Sequence, residues 1–345
     1  MSSKNEDESK SSYIRSISQI DYLQFEVCVS FLRSQILDEE WYEGGNTTSG
    51  KELIISFAQC MKSRKEVILI YTWPALIGIL IASKGNPPFV ETLKLILAIT
   101  FVGYSVYFYN DMVDMEEDIK NRELGNPTPA GRPLGSGKIS KNRMMKYAIF
   151  SGIFGITVAA LINIQVLIIQ LSAIVLGIIY STEPIRLKKR FIIKQLTVAA
   201  GVIMENFSGG LTLGVINIPI IYLALLNVIF ILGINPLVDL RDVRGDKISG
   251  IRTIPVVWGP QMTVRFTLGI LGAIGAANFI GYLNLGFNLA MTILVFIILA
   301  SFLYVVFPLL KRWDEPVYLA SLINKKIIPL YMSLQFAIFL GFLNI

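Results

Sequence analysis

The sequence predicts an all-α, polytopic membrane protein, and three observations carry that prediction. Of 345 residues, 53% are hydrophobic and only 16% are charged, against about 25% charged in an ordinary soluble domain. Nine apolar runs follow one another, at residues 66–83, 88–109, 147–163, 165–181, 194–214, 218–238, 262–282, 288–308 and 327–345. Most approach the ~20 residues a bilayer core demands of a helix. Lys and Arg gather in alternate loops: 111–146, 183–194, 239–260 and 309–326 hold 7, 5, 4 and 4 of the 31, whereas the loops between them hold Lys84 alone. The positive-inside rule puts the charged loops and the N-terminus in the cytoplasm, with the chain multi-pass in the cell membrane.

Residues 1–62 read as an N-terminal extension. Residues 1–19 are Ser, Lys, Glu and Asp with little to bury, which predicts a disordered tail. Residues 21–37 and 52–62 carry apolar side chains but are too interrupted by charge to span, so they read as surface helices. The linker Gly44-Gly45-Asn46-Thr47-Thr48-Ser49-Gly50 separates them. No apolar h-region marks a cleavable signal peptide. Residues 63–345 form the nine-span domain. Cys28 and Cys60 give no disulfide framework and read as free thiols. The absence of histidine excludes imidazole as base, nucleophile or metal ligand. The net charge of +6 resides in the short loops and does not point to nucleic acid.

Two acidic clusters stand out. Asp111, Asp114 and Asp118 follow Asn110 at the end of the second run; Asp239, Asp242 and Asp246 end the sixth. Both have the spacing i, i+3, i+7, which on a continuous helix places three carboxylates within about 60° of one another. Each motif is therefore expected to be a carboxylate stripe on one helix face, and the loop charges place both stripes on the same side of the membrane. Carboxylates so placed repel one another and are costly to desolvate, so they need cations. Aspartate oxygens suit Mg²⁺, which often bridges to substrate phosphates. The loops that follow are basic, with Arg132 and Lys138, then Arg186, Lys188, Lys189 and Arg190. Acid, metal and base together at a membrane face are what a diphosphate needs. The plain alternative, solvated loop charges that cap helices, fits one such motif better than two at equivalent positions.

Four segments carry a family resemblance. Asn110-Asp111-x-x-Asp114-x-x-x-Asp118 resembles the first motif of the UbiA superfamily of intramembrane prenyltransferases, and Asp239-x-x-Asp242-x-x-x-Asp246, running on through Gly250 to Val256, is similar to its second. Residues 131–140 resemble the family's RPL-x-SG-x-I segment, and residues 180–188 its YS-x-x-P-x-R-x-K segment. The resemblance covers about residues 63–345. The stretch 124–130 lengthens the approach to Arg132, and Glu183 stands where many members have proline.

The resemblance implies a nine-helix transmembrane bundle around a central chamber with a cytoplasmic cap. It also implies a polyprenyl diphosphate held through Mg²⁺ by both aspartate motifs, and a hydrophobic or amphipathic acceptor in the bilayer. Asp111, Asp114 and Asp118 are expected to hold one metal and Asp239, Asp242 and Asp246 another. Asn110, Arg132, Tyr180, Arg186, Lys188 and Glu205 are the expected substrate-binding residues. The donor is expected to be a C20, geranylgeranyl-like diphosphate, and the product a lipid or quinone.

Competing roles stay open for several residues. Arg132, Arg186 and Lys188 also read as membrane-face anchors, and Arg64 reads as one first. Lys189, Arg190 and Lys194 read as topology signals. Glu205 sits mid-run in the fifth span, an expensive place for an ionisable group. It reads either as lining the acceptor chamber or as a buried structural carboxyl. Asn227, Asn235 and Asn278 are expected to make interhelical hydrogen bonds, and Gly272, Gly275, Ala276 and Ala277 to allow close helix packing. The rival from another class is a divalent-cation or lipid-linked transporter using the acidic stripes as an ion site.

Overall fold

The computed structural model describes residues 50–124, 132–134 and 136–343. The expected disordered tail and the helix over 21–37 lie outside the described residues, as does Cys28. The chain divides into compact units at Met1–Gln59 and Cys60–Ile345. Helix α1, Gly50–Ser63, carries the run placed at 52–62.

From there every described element is helical or irregular. A π-turn at Ile68–Thr72 leads into α2 (Trp73–Ala82); α3 is Phe89–Val113, α4 Met115–Glu123, α5 Lys141–Ala160 and α6 Ile164–Ser181. Helix α7 is Ile193–Leu211, α8 Ile218–Leu240, α9 Val243–Ile248, α10 Ile254–Trp258 and α11 Pro260–Leu285. Helix α12 is Leu289–Val306, α13 Leu309–Arg312, α14 Pro316–Leu322 and α15 Ile328–Phe342.

Helix falls on each of the nine predicted runs, but fewer of these helices are by themselves long and apolar enough to span. Among the described residues six helices are long and apolar enough to cross a bilayer, or seven if the bent pair Gly50–Ser63 and Ile68–Ala82 is one span. Helices α5 and α7 fall short for a visible reason: Lys141, Arg143 and Lys146 occupy the start of α5, and Gln195, Glu205 and Asn206 are set into α7.

The helices are amphipathic in the inverted sense. On α6 the outward residues are Ile164, Ile168, Leu171, Val175 and Ile178, spaced by four and three. The inward face of the same helix carries Gln170 and Ser181. A soluble helix turns these faces the other way. Here the exposed face is the oily one, as a lipid solvent requires, and the chain is a multi-pass integral membrane protein.

Helix starts away from the aspartate motifs are capped locally. The Oδ1 atoms of Asn163, Asn217 and Asn288 accept from the backbone N–H groups of Val166, Ile220 and Met291, satisfying orphan donors at the starts of α6, α8 and α12. The Asn163 amide also donates to the Leu211 carbonyl at 2.8 Å, tying the α5–α6 turn to the end of α7.

Around the bundle α3 packs on α5 and α6, α6 on α7, and α7 on α2 and α8. Helix α8 packs on α11, α11 on α12, α12 on α15, and α15 returns to α2. Helices α2 and α7 approach closely. A Cβ on Gly209 would lie 2.8 Å from Ile79 N and 2.9 Å from Gly78 Cα, so the two backbones touch. A polar brace crosses the same region. Asn206 donates to Pro74 O at 2.9 Å and Asn227 to Asn206 Oδ1 at 2.7 Å, while Tyr331 and Gln335 donate to Asn227 Oδ1 at 3.0 and 2.8 Å. This joins α2, α7, α8 and α15 in a setting where apolar packing alone gives little preference between helix and lipid. Asn235 bonds Gln195, and Asn278 donates to Thr292 O at 3.3 Å, as expected of interhelical asparagines. Gly272 does not pack as expected: nothing lies within 4 Å of where its Cβ would be. It faces away from the neighbouring helices; Gly275 does pack, its Cβ position lying 3.3 Å from the Phe296 ring on α12, and Gly78 and Gly209 make a further close junction.

Candidate functional site

Both aspartate motifs lie at the ends of long helices, and both bend at the middle aspartate. Helix α3 carries Asp111 in its last turn; Asp114 takes φ −94°, ψ 5°, and α4 restarts with Asp118 in its first turn. Helix α8 carries Asp239; Asp242 takes φ −101°, ψ 1°, and α9 carries Asp246. The continuous one-face stripe of the sequence reading is thus corrected. The bridge-region residue interrupts each helix, so each motif is split between two helices. The carboxylates meet partners from other elements, some of them shared.

Those partners are mostly cations from elsewhere in the chain. Asp111 is 2% exposed and is gripped by both Nε and Nη2 of Arg64. Arg132 Nη1 binds Asp118 and lies 3.3 Å from Asp111. Arg186 Nη2 is 3.1 Å from Asp114 and 2.8 Å from Glu117. Lys188 Nζ is 2.5 Å from Asp114 and 2.6 Å from Glu117. Asn110 Nδ2 donates to Asp114 Oδ2 at 2.6 Å and to Ser181 Oγ at 3.0 Å, which orients the carboxylate. Asp239 accepts from Lys194 at 2.6 Å and Gln195 at 2.8 Å. Arg241 Nη2 pairs with its neighbour Asp242 at 2.9 Å.

The two motifs meet across α4 and α9. Gly245 sits against Asn121, and a Cβ there would overlap that side chain. Beneath this contact is a cavity of about 370 Å³. Asp114, Asp118, Asp239, Asp242 and Asp246 all line it, with Arg132, Lys188, Lys194 and Arg241. Below the charged rim come Tyr71, Tyr107 and Tyr180, then an apolar stretch that includes Val102, Val106, Leu176, Ile231 and Phe230. Arg64 lies over the Tyr107 ring at 5.0 Å from its centroid. A charged rim above an aromatic collar and an oily shaft suits a molecule with an anionic head and a hydrocarbon tail.

Most of the expected site residues converge here. Asn110, Arg132, Tyr180, Lys188 and Glu205 line the cavity with five of the six aspartates. Asp111 lies behind the wall, held by Arg64, which itself lines the cavity, and Arg186 stands behind Lys188. Two expectations are overturned by position. Arg64 is a buried partner of Asp111 rather than a surface anchor, and Lys194 is a cavity residue on Asp239 rather than a topology signal. Lys189 reaches Glu183 at 3.1 Å and Arg190 bonds Ile185 O, so both stay outside the cavity as expected. Lys138 is exposed. Glu183 is exposed too, and hydrogen bonds from Lys189 and Arg186 hold its carboxyl below the usual range.

Glu117, Gln195 and Arg241 were not singled out from sequence. The signal for Glu117 was available, since it follows Asp114 by three residues on the next helical turn. Gln195 carried none, because nothing in a lone glutamine reveals a partner 44 residues away.

Glu205 is placed differently from the rim. It lies eleven residues beyond Lys194 on α7, about 16 Å along the axis at 1.5 Å per residue. Gln170 donates to its Oε2 at 2.8 Å and to Ser208 Oγ at 3.1 Å. It is both a cavity residue and a partnered carboxyl. The rim carboxylates sit at helix ends, with Glu205 apart from them, which is not the line of acids that a cation path through the membrane calls for.

Asp246 stands out within the rim. It is 6% exposed, yet among the described residues it forms no ion pair; Thr253 Oγ1 donates to it at 3.3 Å. Burial pushes its carboxyl up to about 7, which is the mark of a buried acid short of positive charge. Among the described residues no three acidic side chains form a ready-made metal cage. Mg²⁺ rarely uses one. It takes one or two carboxylates and completes its shell with phosphate oxygens and water. The oxygen-only donors of Asp114, Asp118, Asp239, Asp242 and Asp246 around one cavity therefore fit Mg²⁺ that arrives with a diphosphate.

Fold and site together define a class: an integral membrane bundle with a charged rim of acids and bases above an apolar cavity. Residues 71–320 match the UbiA prenyltransferase family. The chain belongs to that family. Over 193 residues it is 33% identical to the digeranylgeranylglyceryl phosphate synthase of Thermococcus sibiricus, covering 55% of this chain and 65% of that protein. Over 223 residues it is 30% identical to the enzyme of the same name from Sulfurisphaera tokodaii, covering 61% and 73%. The alignment thus spans just under two thirds of the Thermococcus protein's length. In fold it is similar to a UbiA homolog from Archaeoglobus fulgidus solved bound to GPP and Mg²⁺, with TM-score 0.63 and 19% identity over 82% of this chain and 99% of that one.

Proposed function

We propose that the chain transfers a C20, geranylgeranyl-like prenyl group from its diphosphate to a prenylated glyceryl phosphate lipid in the bilayer. The observation that carries the reading is the single cavity on which both aspartate motifs open, charged at the rim and apolar below. The names of the relatives at 30 and 33% identity, digeranylgeranylglyceryl phosphate synthases, support a prenylated glyceryl phosphate acceptor. In this reading the helices form nine spans around a central chamber. The rim and N-terminus face the cytoplasm, in the cell membrane, and residues 1–62 are an extension on the 63–345 catalytic domain.

The reaction breaks the allylic C1–O bond, releases diphosphate, and joins C1 to the acceptor oxygen, whose proton is lost. Asp111, Asp114, Asp118, Asp239, Asp242 and Asp246 are the acidic machinery; the five that line the cavity would hold Mg²⁺, and Asp111 keeps Arg64 and Arg132 in place. Bound Mg²⁺ supplies neutralisation of the leaving diphosphate. Arg132, Lys188 and Lys194 add fixed positive charge at the same rim, with Arg186 behind Lys188. Asn110 fixes Asp114. Tyr180, with Tyr71 and Tyr107, forms the collar at the level of the developing allylic cation, where ring faces attract positive charge and the apolar shaft excludes water. Glu205 meets the substrate well below the reacting carbon, beside the far end of a prenyl chain.

The test is direct. The full-length protein in nanodiscs receives labelled geranylgeranyl diphosphate, geranylgeranylglyceryl phosphate and Mg²⁺, and lipid mass spectrometry follows the product. Equimolar prenylated lipid and pyrophosphate are expected, with loss in excess EDTA and recovery on adding Mg²⁺. Turnover in EDTA removes the metal from the reading; no prenylated glyceryl phosphate, with product formed on another acceptor, removes the acceptor.

A further inference from the structure

Glu117 is outside the three-aspartate pattern, yet it lines the cavity, where it pairs with Lys188 and with Arg186 behind it. Its carboxylate spans them, with Oε2 at 2.6 Å from Lys188 Nζ and Oε1 at 2.8 Å from Arg186 Nη2. Asp114 reaches the same two groups. The quartet of Asp114, Glu117, Arg186 and Lys188 is therefore electrically neutral by itself. Lys188 lines the cavity, and Arg186 is buried behind it, its Nε without a hydrogen-bond partner among the described residues.

A carboxylate that bridges two cations through its two oxygens occupies the place of two phosphate oxygens. We propose that Glu117 is a resident counter-anion that competes with the donor's diphosphate for Lys188 and Arg186, lowering its affinity and easing its departure as pyrophosphate. The inference rests on the reading of this cavity as a prenyl diphosphate site. Binding is then an exchange of anions on the cations, and release is the return of Glu117. The opposite role is a purely structural one, in which Glu117 holds Lys188 and Arg186 in position for the diphosphate. The two roles give opposite signs. Removing a competitor tightens diphosphate binding, whereas removing a strut loosens it.

The experiment measures binding of inorganic pyrophosphate to the full chain in detergent, by calorimetry in Mg²⁺ buffer, for wild type, Glu117→Gln and Glu117→Asp. Glu117→Gln is expected to bind about tenfold more tightly, the equivalent of about 1.4 kcal/mol. In turnover its donor KM and its kcat are both expected to fall, with stronger inhibition by added pyrophosphate. Lys188→Gln removes one of the contested cations, so Glu117→Gln made in that background is expected to change pyrophosphate binding by a smaller factor. If Glu117→Gln does not fold, Glu117→Asp carries the test: one methylene shorter, it competes less well and tightens binding by a smaller factor. Unchanged or weaker pyrophosphate binding in the variant that folds overturns the proposal. So does an equal effect with and without Lys188. Wild type that binds neither pyrophosphate nor prenyl diphosphate overturns the underlying reading as well, which separates the two failures.

Discussion

Gly209→Ala tests the junction on which the cavity's geometry depends. The added Cβ meets backbone, at 2.8 Å from Ile79 N and 2.9 Å from Gly78 Cα, and overlaps Ala75 O. No rotamer change relieves a clash with backbone, so α2 and α7 must separate. Restoring an ordinary contact needs at least about half an ångström, and such overpacking costs roughly 1–3 kcal/mol. The same movement stretches the 2.9 Å bond from Asn206 to Pro74 O; an interhelical bond of this kind contributes about 0.6–2 kcal/mol. A loss of about 2–4 kcal/mol is expected. The assay is SDS-driven unfolding followed by tryptophan fluorescence, beside Gly272→Ala. Gly272 is helical with open space where the Cβ would go, so Ala there is expected to be neutral or stabilising by up to about 1 kcal/mol from helix propensity alone. Gly209→Ala as stable as Gly272→Ala would refute the packing argument. Helix α7 also carries Lys194 and Glu205, so the destabilised variant is expected to lose turnover too.

Three further outcomes follow from the rim and the shaft. Asp246→Asn removes a buried acid that forms no ion pair among the described residues, so the protein is expected to keep or gain thermal stability while losing at least tenfold in kcat and needing more Mg²⁺; unchanged Mg²⁺ dependence counts against its metal role. Lys194→Gln strands Asp239, and a stability loss of roughly 3–5 kcal/mol is expected in the same SDS assay. Glu205→Gln keeps shape and one hydrogen bond to Gln170. Because the residue lies far from the reacting carbon, preference among C10, C15 and C20 donors is expected to shift more than kcat on the best donor; a kcat collapse on every donor would place it at the chemistry instead.

Much of this was legible in the sequence, for physical reasons that can be named. Apolar runs locate helices because lipid demands them, and the Asp spacing located both rim motifs because a short helical segment fixes which residues neighbour which. The bends at Asp114 and Asp242 were not legible, since i, i+3, i+7 suits an unbroken helix equally well. Nor were the partners of the aspartates. Arg64 and Lys194 look like membrane-face cations in a linear reading, and only the fold brings them to Asp111 and Asp239, 47 and 45 residues away. Glycine was ambiguous in the same way: Gly209 and Gly272 both lie inside helices, but one meets a neighbouring backbone and the other meets open space.

The two bonds of Asn163 set a timetable for assembly. Its Oδ1 accepts from Val166, three residues away, and this bond forms as soon as α6 begins. Its amide donates to Leu211, 48 residues further on. At ~5–20 residues per second, that stretch takes about 2–10 s to synthesise. During this interval the α5–α6 hairpin has one half of its turn satisfied and the other half waiting. Arrival of the end of α7 closes it, so the cavity wall formed by α6 and α7 locks only when Leu211 emerges.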